Sequence, residues 1–113
     1  MVRLQTLRVV AALAGLVALA GSGYAQTAQQ ANVIENTVAL QVARDACGYK
    51  VNNTMLALVL DQANIRTTDL TSGGKFSSTV QRNQARVRKL IASESGKASF
   101  CRTVRNELSA MLD

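Results

Sequence analysis

The stretch Ala-Arg-Asp-Ala-Cys-Gly at residues 43–48 closes the first predicted helix and contains one of only two cysteines in the chain. The other, Cys101, stands in Ala-Ser-Phe-Cys-Arg-Thr-Val at 98–104, near the start of the last predicted helix. If Cys47 and Cys101 pair, the bond encloses about 55 residues, most of the chain that can fold. This pairing therefore decides how the helical segments can be arranged.

The N-terminus has the pattern of an export signal. Arg3 and Arg8 form a basic start, and residues 9–20 follow as an uninterrupted apolar run. This run is too short for a membrane-spanning helix, which needs about 20 residues. Small residues at Gly23 and Ala25 then predict cleavage after Ala25. The alternative is a membrane anchor that is retained.

Export bears on the cysteines because secreted proteins meet an oxidising compartment, where two thiols in a small domain usually pair. We therefore predict a Cys47–Cys101 disulfide. Closing a loop of this length is expected to stabilise the fold by about 4 kcal/mol. The alternatives are a metal thiolate pair and a redox-active thiol, but the chain has no Cys-x-x-Cys spacing and no histidine.

The predicted mature chain, residues 26–113, is long enough for one domain. Loss of Arg3 and Arg8 leaves 11 basic residues against 7 acidic ones, a net charge of +4. The chain has no proline and is rich in Ala, Leu, Gln and Arg, residues that favour helix. The composition therefore predicts an all-α domain.

Four helices are predicted from apolar periodicity and capping residues. Residues 26–31 lack large apolar groups and are expected to fray. Ser95-Gly96 is expected to interrupt the helical structure between the third and the last helix. The second helix carries the nearly continuous run Met55–Leu60, so we expect it to be the most buried. The predicted elements are helices at about 31–47, 54–63, 76–93 and 98–112, a Gly48 cap, an Asn52 or Asn53 cap, a single turn at 67–70, and a flexible Gly73-Gly74 hinge.

These elements predict a small four-helix bundle, or two helical hairpins joined by the disulfide. In the second arrangement the hinge separates the hairpins and the Cys47–Cys101 bond holds them together.

The side chains that usually carry catalysis are missing or dispersed. There is no histidine to act as a base near neutral pH, and the seven carboxylates show no spacing that pairs them on one face. No calcium-loop or zinc-ligand pattern is present. The sequence predicts a protein that is not an enzyme and that has no metal or cofactor.

A basic face on the third predicted helix is the main candidate for binding. Arg82, Arg86 and Lys89 recur at helical spacing, and Arg88 lies beside them. Such a patch can attract an anionic partner: lipid head groups, an acidic polymer or an acidic protein surface. The alternative is a solvated helix face. Nucleic acid is disfavoured because an exported protein rarely meets it.

The sequence thus predicts a periplasmic or secreted helical protein that binds an unknown protein or an anionic envelope component, without a transmembrane segment in the mature chain. An inhibitor or immunity protein would be a special case. In size, single disulfide and helical build, the chain is also similar in outline to the HdeA-type acid chaperones of the periplasm. That resemblance implies a stress chaperone, with any acid switch at about pH 3–5, where carboxylates titrate.

Overall fold

The computed structural model describes residues 26–113; the predicted signal segment lies outside the described residues. Within this range the chain is all-helical and contains no named strand, which confirms the predicted class. The elements are α1 (Ala28–Cys47), α2 (Asn53–Gln62), α3 (Thr67–Leu70), α4 (Ser77–Leu90), α5 (Glu94–Glu107) and a terminal 3₁₀ turn (Ser109–Met111).

The helix α1 forms the centre of the fold. Its side chains Ile34 and Leu40 are fully buried, and Val38 is almost so. The helix begins three residues earlier than predicted because Thr27 and Gln30 form a capping box: the Gln30 amide donates to the Thr27 hydroxyl, and the Thr27 amide donates to the Gln30 side chain, both at 3.0 Å. Residues 28–31 are therefore helical rather than frayed.

The ends of α1 and α2 follow the predicted capping residues. Gly48 has φ 73°, the left-handed conformation that glycine adopts most easily, and it ends α1. The side chain of Asn52 accepts from the amide of Met55 at the start of α2. The chain then turns back along α1, since the Gln30 side chain donates to the carbonyl of Ala63 at 3.1 Å.

The main neighbours of α1 are α4 and α5, and its contact with α2 is less extensive. The helices α1 and α4 run in the same general direction, because Gln26 meets Thr79 near their starts and Glu35 meets Arg86 further along. The two predicted hairpins are therefore not separate packing units, since the first helix packs most closely on the second half of the chain.

The prediction that the second helix is the most buried is wrong. In α2 only Leu60 is buried, while Leu58 keeps 49% of its surface exposed. The helix lies at the side of α1 and makes no extensive contact with α4, so one of its faces has no helix to pack against.

The predicted break at Ser95-Gly96 is also wrong, because both residues lie in the first turn of α5. Ser93 caps this helix by accepting from the Gly96 amide at 3.0 Å. A side chain at position 96 would overlap the backbone carbonyl of Leu90, so glycine permits α5 to start close against the end of α4. The helix ends at Glu107 rather than Leu112, and Ser109–Met111 form the 3₁₀ turn.

The C-terminal residues return to the link between α1 and α2. The Asn52 amide donates to the Met111 carbonyl at 2.7 Å, and the Asp113 amide donates to the Lys50 carbonyl at 2.9 Å. Val51 and Leu112 form an isolated antiparallel bridge between these hydrogen bonds. The end of the chain is therefore fastened to the segment that follows Cys47.

The Gly73-Gly74 loop is held by backbone hydrogen bonds. The Gly74 amide donates to the Thr71 carbonyl, and the Phe76 amide donates to the Asp69 carbonyl, each at 2.8 Å. Phe76 is itself buried and leads directly into α4. The loop predicted as a flexible hinge thus packs against α3.

Candidate binding site

The two cysteines lie together as predicted. Cys47, the last residue of α1, is bonded to Cys101 of α5, and their Cα atoms are 5.8 Å apart. The Tyr49 hydroxyl donates to the carbonyl of Cys101 at 3.0 Å, and the Arg105 guanidinium lies 5.0 Å from the centre of the Tyr49 ring. The disulfide and the tyrosine together fasten α5 to the end of α1.

The four cations predicted as one patch, Arg82, Arg86, Arg88 and Lys89, are all exposed on α4. Arg86, however, is already bound. Its guanidinium forms an ion pair with Glu35 of α1 at 2.6 Å and also donates to the side chain of Asn83 on α4. This arginine therefore joins α4 to the central helix.

The other three cations do not share one environment. Arg82 donates to the Thr79 hydroxyl at 3.3 Å, at the end of α4 nearest Gln26. Arg88 lies on a different side of α4, where it lines a depression together with Arg44 and other residues of the second half of α1. Lys89 lines neither the depression that contains Arg88 nor the one that contains Arg82 and Arg86. The structure thus separates Arg88 from Arg82 and Arg86.

An apolar groove opens where α2 and α4 both flank α1 without packing on each other. Its volume is about 260 Å³. Its floor contains core residues of α1 and α4, and its walls come from α2 and α3. The apolar groove is lined by Ile34, Thr37, Val38, Gln41, Leu56, Leu60, Thr67, Leu70, Thr71, Val80 and Gln84.

A second, more polar depression adjoins the apolar groove and lies between the later turns of α1 and α4. We call it the cationic cleft; its volume is about 610 Å³. Gln41 and Gln84 line both cavities and so mark the junction between them. The cationic cleft is lined by Gln41, Val42, Arg44, Asp45, Ala46, Gln84, Arg88 and Ile91.

The charges in the cationic cleft favour an anion. Arg44 and Arg88 supply two positive charges, and Asp45 supplies one negative charge. The Asp45 carboxylate lies 3.4 Å from the Nε atom of Arg44, so it partly neutralises that arginine. Arg88 is the cation of this cleft that faces α1 from the opposite helix.

Sequence reasoning identified Arg88 but missed Arg44 and the apolar groove. One signal was available: Met55–Leu60 has no polar face, although a helix at the surface of a small domain normally has one. A helix that is apolar all round and only partly covered leaves apolar surface for something else to contact.

Within residues 26–113, the His, Cys, Asp and Glu side chains form no group of three or more that could hold a metal ion. No helix in this range is both long enough and apolar enough to cross a membrane. Comparison with models of protein families finds no match, and comparisons with curated proteins and with solved structures find none either.

Proposed function

We propose that this protein is an exported helical binding protein without catalytic activity, and that its binding site is the apolar groove with the adjoining cationic cleft. The observation that carries the proposal is the partial exposure of α2. Its most apolar stretch buries only Leu60, and Leu56 lines an open groove above the fully buried Ile34. Apolar concave surfaces with a few polar groups at the edge are the usual form of a binding site.

Two features of the sequence support the other parts of the proposal. The basic and apolar N-terminal segment with small residues at Gly23 and Ala25 supports export to the periplasm or the medium. The lack of histidine and the dispersed carboxylates support a function that does not include catalysis. A protein partner, as for an inhibitor or immunity protein, would contact the same groove together with the exposed side of α2.

Two variants of α2 test the binding site. Nile red, a neutral dye that fluoresces in apolar surroundings, is expected to bind the oxidised protein at neutral pH. Leu56→Glu places a charge in the groove and should abolish the fluorescence. Leu58→Glu makes the same change at an exposed position that does not line the groove, and should leave it intact. Circular dichroism checks that both variants are folded.

The absence of Nile red fluorescence with the wild-type protein would contradict the proposed site. Equal loss of fluorescence in Leu56→Glu and Leu58→Glu would contradict it too, since the dye would then report a general apolar surface. Export is tested separately by mass spectrometry of the protein from the cell envelope, where the expected N-terminal residue is Gln26.

The same exposed α2 surface favours a second candidate, a periplasmic stress chaperone of HdeA-like build. Unfolded clients bind through apolar segments, and acid would raise the positive charge of residues 26–113 by protonating up to seven carboxylates. Suppression of client aggregation at pH 3, but not at pH 7, is the expected outcome. A protein that protects no client at either pH would rule out this candidate and leave groove binding in place.

A further inference from the structure

We infer that the apolar groove and the cationic cleft together bind one single-chain amphiphile with an anionic head group, with the tail in the groove and the head at Arg88. This inference rests on the proposed binding function and adds the chemical class of the ligand. It follows from the volume and lining of the groove, the position of the charges and the two residues that the cavities share.

The volume and the apolar lining of the groove suit one hydrocarbon tail. The groove has Ile34, Val38 and Val80 at its floor, and Leu56 and Leu70 at its sides. Its volume of about 260 Å³ is slightly below the range of about 300–1,000 Å³ typical of drug-sized ligand sites. A second tail or the face of a partner helix would need more room. A single medium-length chain is therefore the best fit.

The charges lie at one end of this groove. Beyond the junction at Gln41 and Gln84, the cleft presents Arg88 from α4 and Arg44 from α1. Arg88 is one helical turn beyond Gln84, so a head group emerging at the junction comes directly to its guanidinium. Arginine binds carboxylate and phosphate groups through paired N–H donors, which suits an anionic head.

Tail and head have different effects on binding. Arg88 is exposed, and an ion pair in water at such a position contributes little affinity. The tail therefore supplies most of the affinity by burying apolar surface, and Arg88 supplies the preference for an anion. Asp45 opposes that preference because its carboxylate lies in the same cleft.

Calorimetry tests the inference with probes of equal chain length, all below their micelle-forming concentrations: decanoate, decyl glucoside and decyltrimethylammonium. The oxidised protein is expected to bind decanoate most tightly. Octanoate should bind more weakly, since each buried methylene changes affinity up to about fourfold. Asp45→Asn should strengthen decanoate binding by removing the opposing charge.

The head-group position is tested with two variants of neighbouring residues on α4. Arg88→Gln should weaken decanoate binding by about twofold to fivefold without affecting decyl glucoside. Lys89→Gln removes the same charge from an exposed residue outside both cavities and should change neither. The pair thus separates a local contact from a general effect of net charge.

Three results would overturn the inference. The first is equal affinity for the three head groups, and the second is equal weakening by Arg88→Gln and Lys89→Gln; Nile red binding would survive both, so the proposed function would stand. The third is binding to vesicles of phosphatidylglycerol without binding to free decanoate, which would identify a membrane surface as the ligand. A protein that binds neither decanoate nor Nile red contradicts both proposals.

Discussion

Arg86 shows how a side chain that looks like part of a binding surface can instead be a structural contact. Its guanidinium is held by Glu35 on α1 and by Asn83 on its own helix. The sequence predicts that Arg86 lies on the exposed side of α4, and this is correct. The partner Glu35 is 51 residues away, so only the packing of α1 beside α4 brings the two together.

The Glu35–Arg86 ion pair is expected to contribute little to stability, because both side chains remain about half exposed. A double-mutant cycle with Glu35→Gln and Arg86→Gln should give a coupling of about 0.2–1 kcal/mol in urea unfolding, and high salt should reduce it. Lys89→Gln serves as the control, since Lys89 is exposed on α4, lines neither depression that Glu35 lines, and should not couple to Glu35. A coupling of several kcal/mol would contradict this prediction.

Gly96 is needed for close packing between two helices, and it does not interrupt a helix. Glycine lowers helix propensity, so Ser95-Gly96 reads as a break. In the structure the residue is helical, and the absent side chain makes room for the Leu90 carbonyl. Tertiary contact therefore overrides local propensity at this position.

The variant Gly96→Ala should lower the free energy of unfolding by about 1–3 kcal/mol, because the new Cβ would force α4 and α5 apart. The neighbouring exposed residue gives the control: Ser95→Ala should change stability by less than about 0.5 kcal/mol. Thermal unfolding of both variants measures the difference. Helix propensity alone predicts that Gly96→Ala stabilises the protein. That result would show that position 96 does not lie close against the Leu90 carbonyl.

At the scale of elements, α2 marks the limit of what apolar patterning can predict. The run Met55–Leu60 correctly predicts a helix, but not its burial. Burial depends on how many neighbours are available, and the fold places α4 and α5 on the central helix α1. Among residues 26–113 no further α-helix remains to cover the other side of α2. Composition alone does not contain this information.

Two leucines of α2 should therefore respond very differently to truncation. Leu60→Ala creates a cavity beside the core and should cost about 2–4 kcal/mol. Leu58→Ala, at a position 49% exposed, should cost less than about 1 kcal/mol. Urea unfolding gives both values. Similar losses for the two variants would mean that α2 is packed on both sides.

At the scale of the whole molecule, the class and the crosslink were accessible from sequence, and the packing was not. Cys47 and Cys101 pair because they are the only candidates, and capping residues such as Asn52 mark helix ends by local chemistry. The pairing of α1 with α4, by contrast, follows from long-range contacts. The cationic cleft is formed by that pairing, so Arg44 could not be assigned to the site in advance.

Loss of the disulfide should weaken the whole fold. Replacing both cysteines by serine, so that no lone thiol remains, is expected to lower the free energy of unfolding by about 2–5 kcal/mol. The 54-residue separation between the cysteines makes the closed loop a large part of the domain. Denaturant unfolding checks this, with reduced wild-type protein as the matched comparison. An unchanged free energy of unfolding would show that the disulfide forms in the folded protein but does not stabilise it.

The packing of α1 has a consequence for the order in which the chain can fold as it is made. Synthesis produces α1 before its main neighbours α4 and α5. The hydrogen bond from the Asp113 amide to the Lys50 carbonyl likewise forms only once Asp113 has been made. Ile34 and Leu40 are therefore made before the helices that bury them in the folded protein. Native packing of α1 must therefore wait until α4 and α5 have been made, and the Cys47–Cys101 bond can form only after Cys101 has been made.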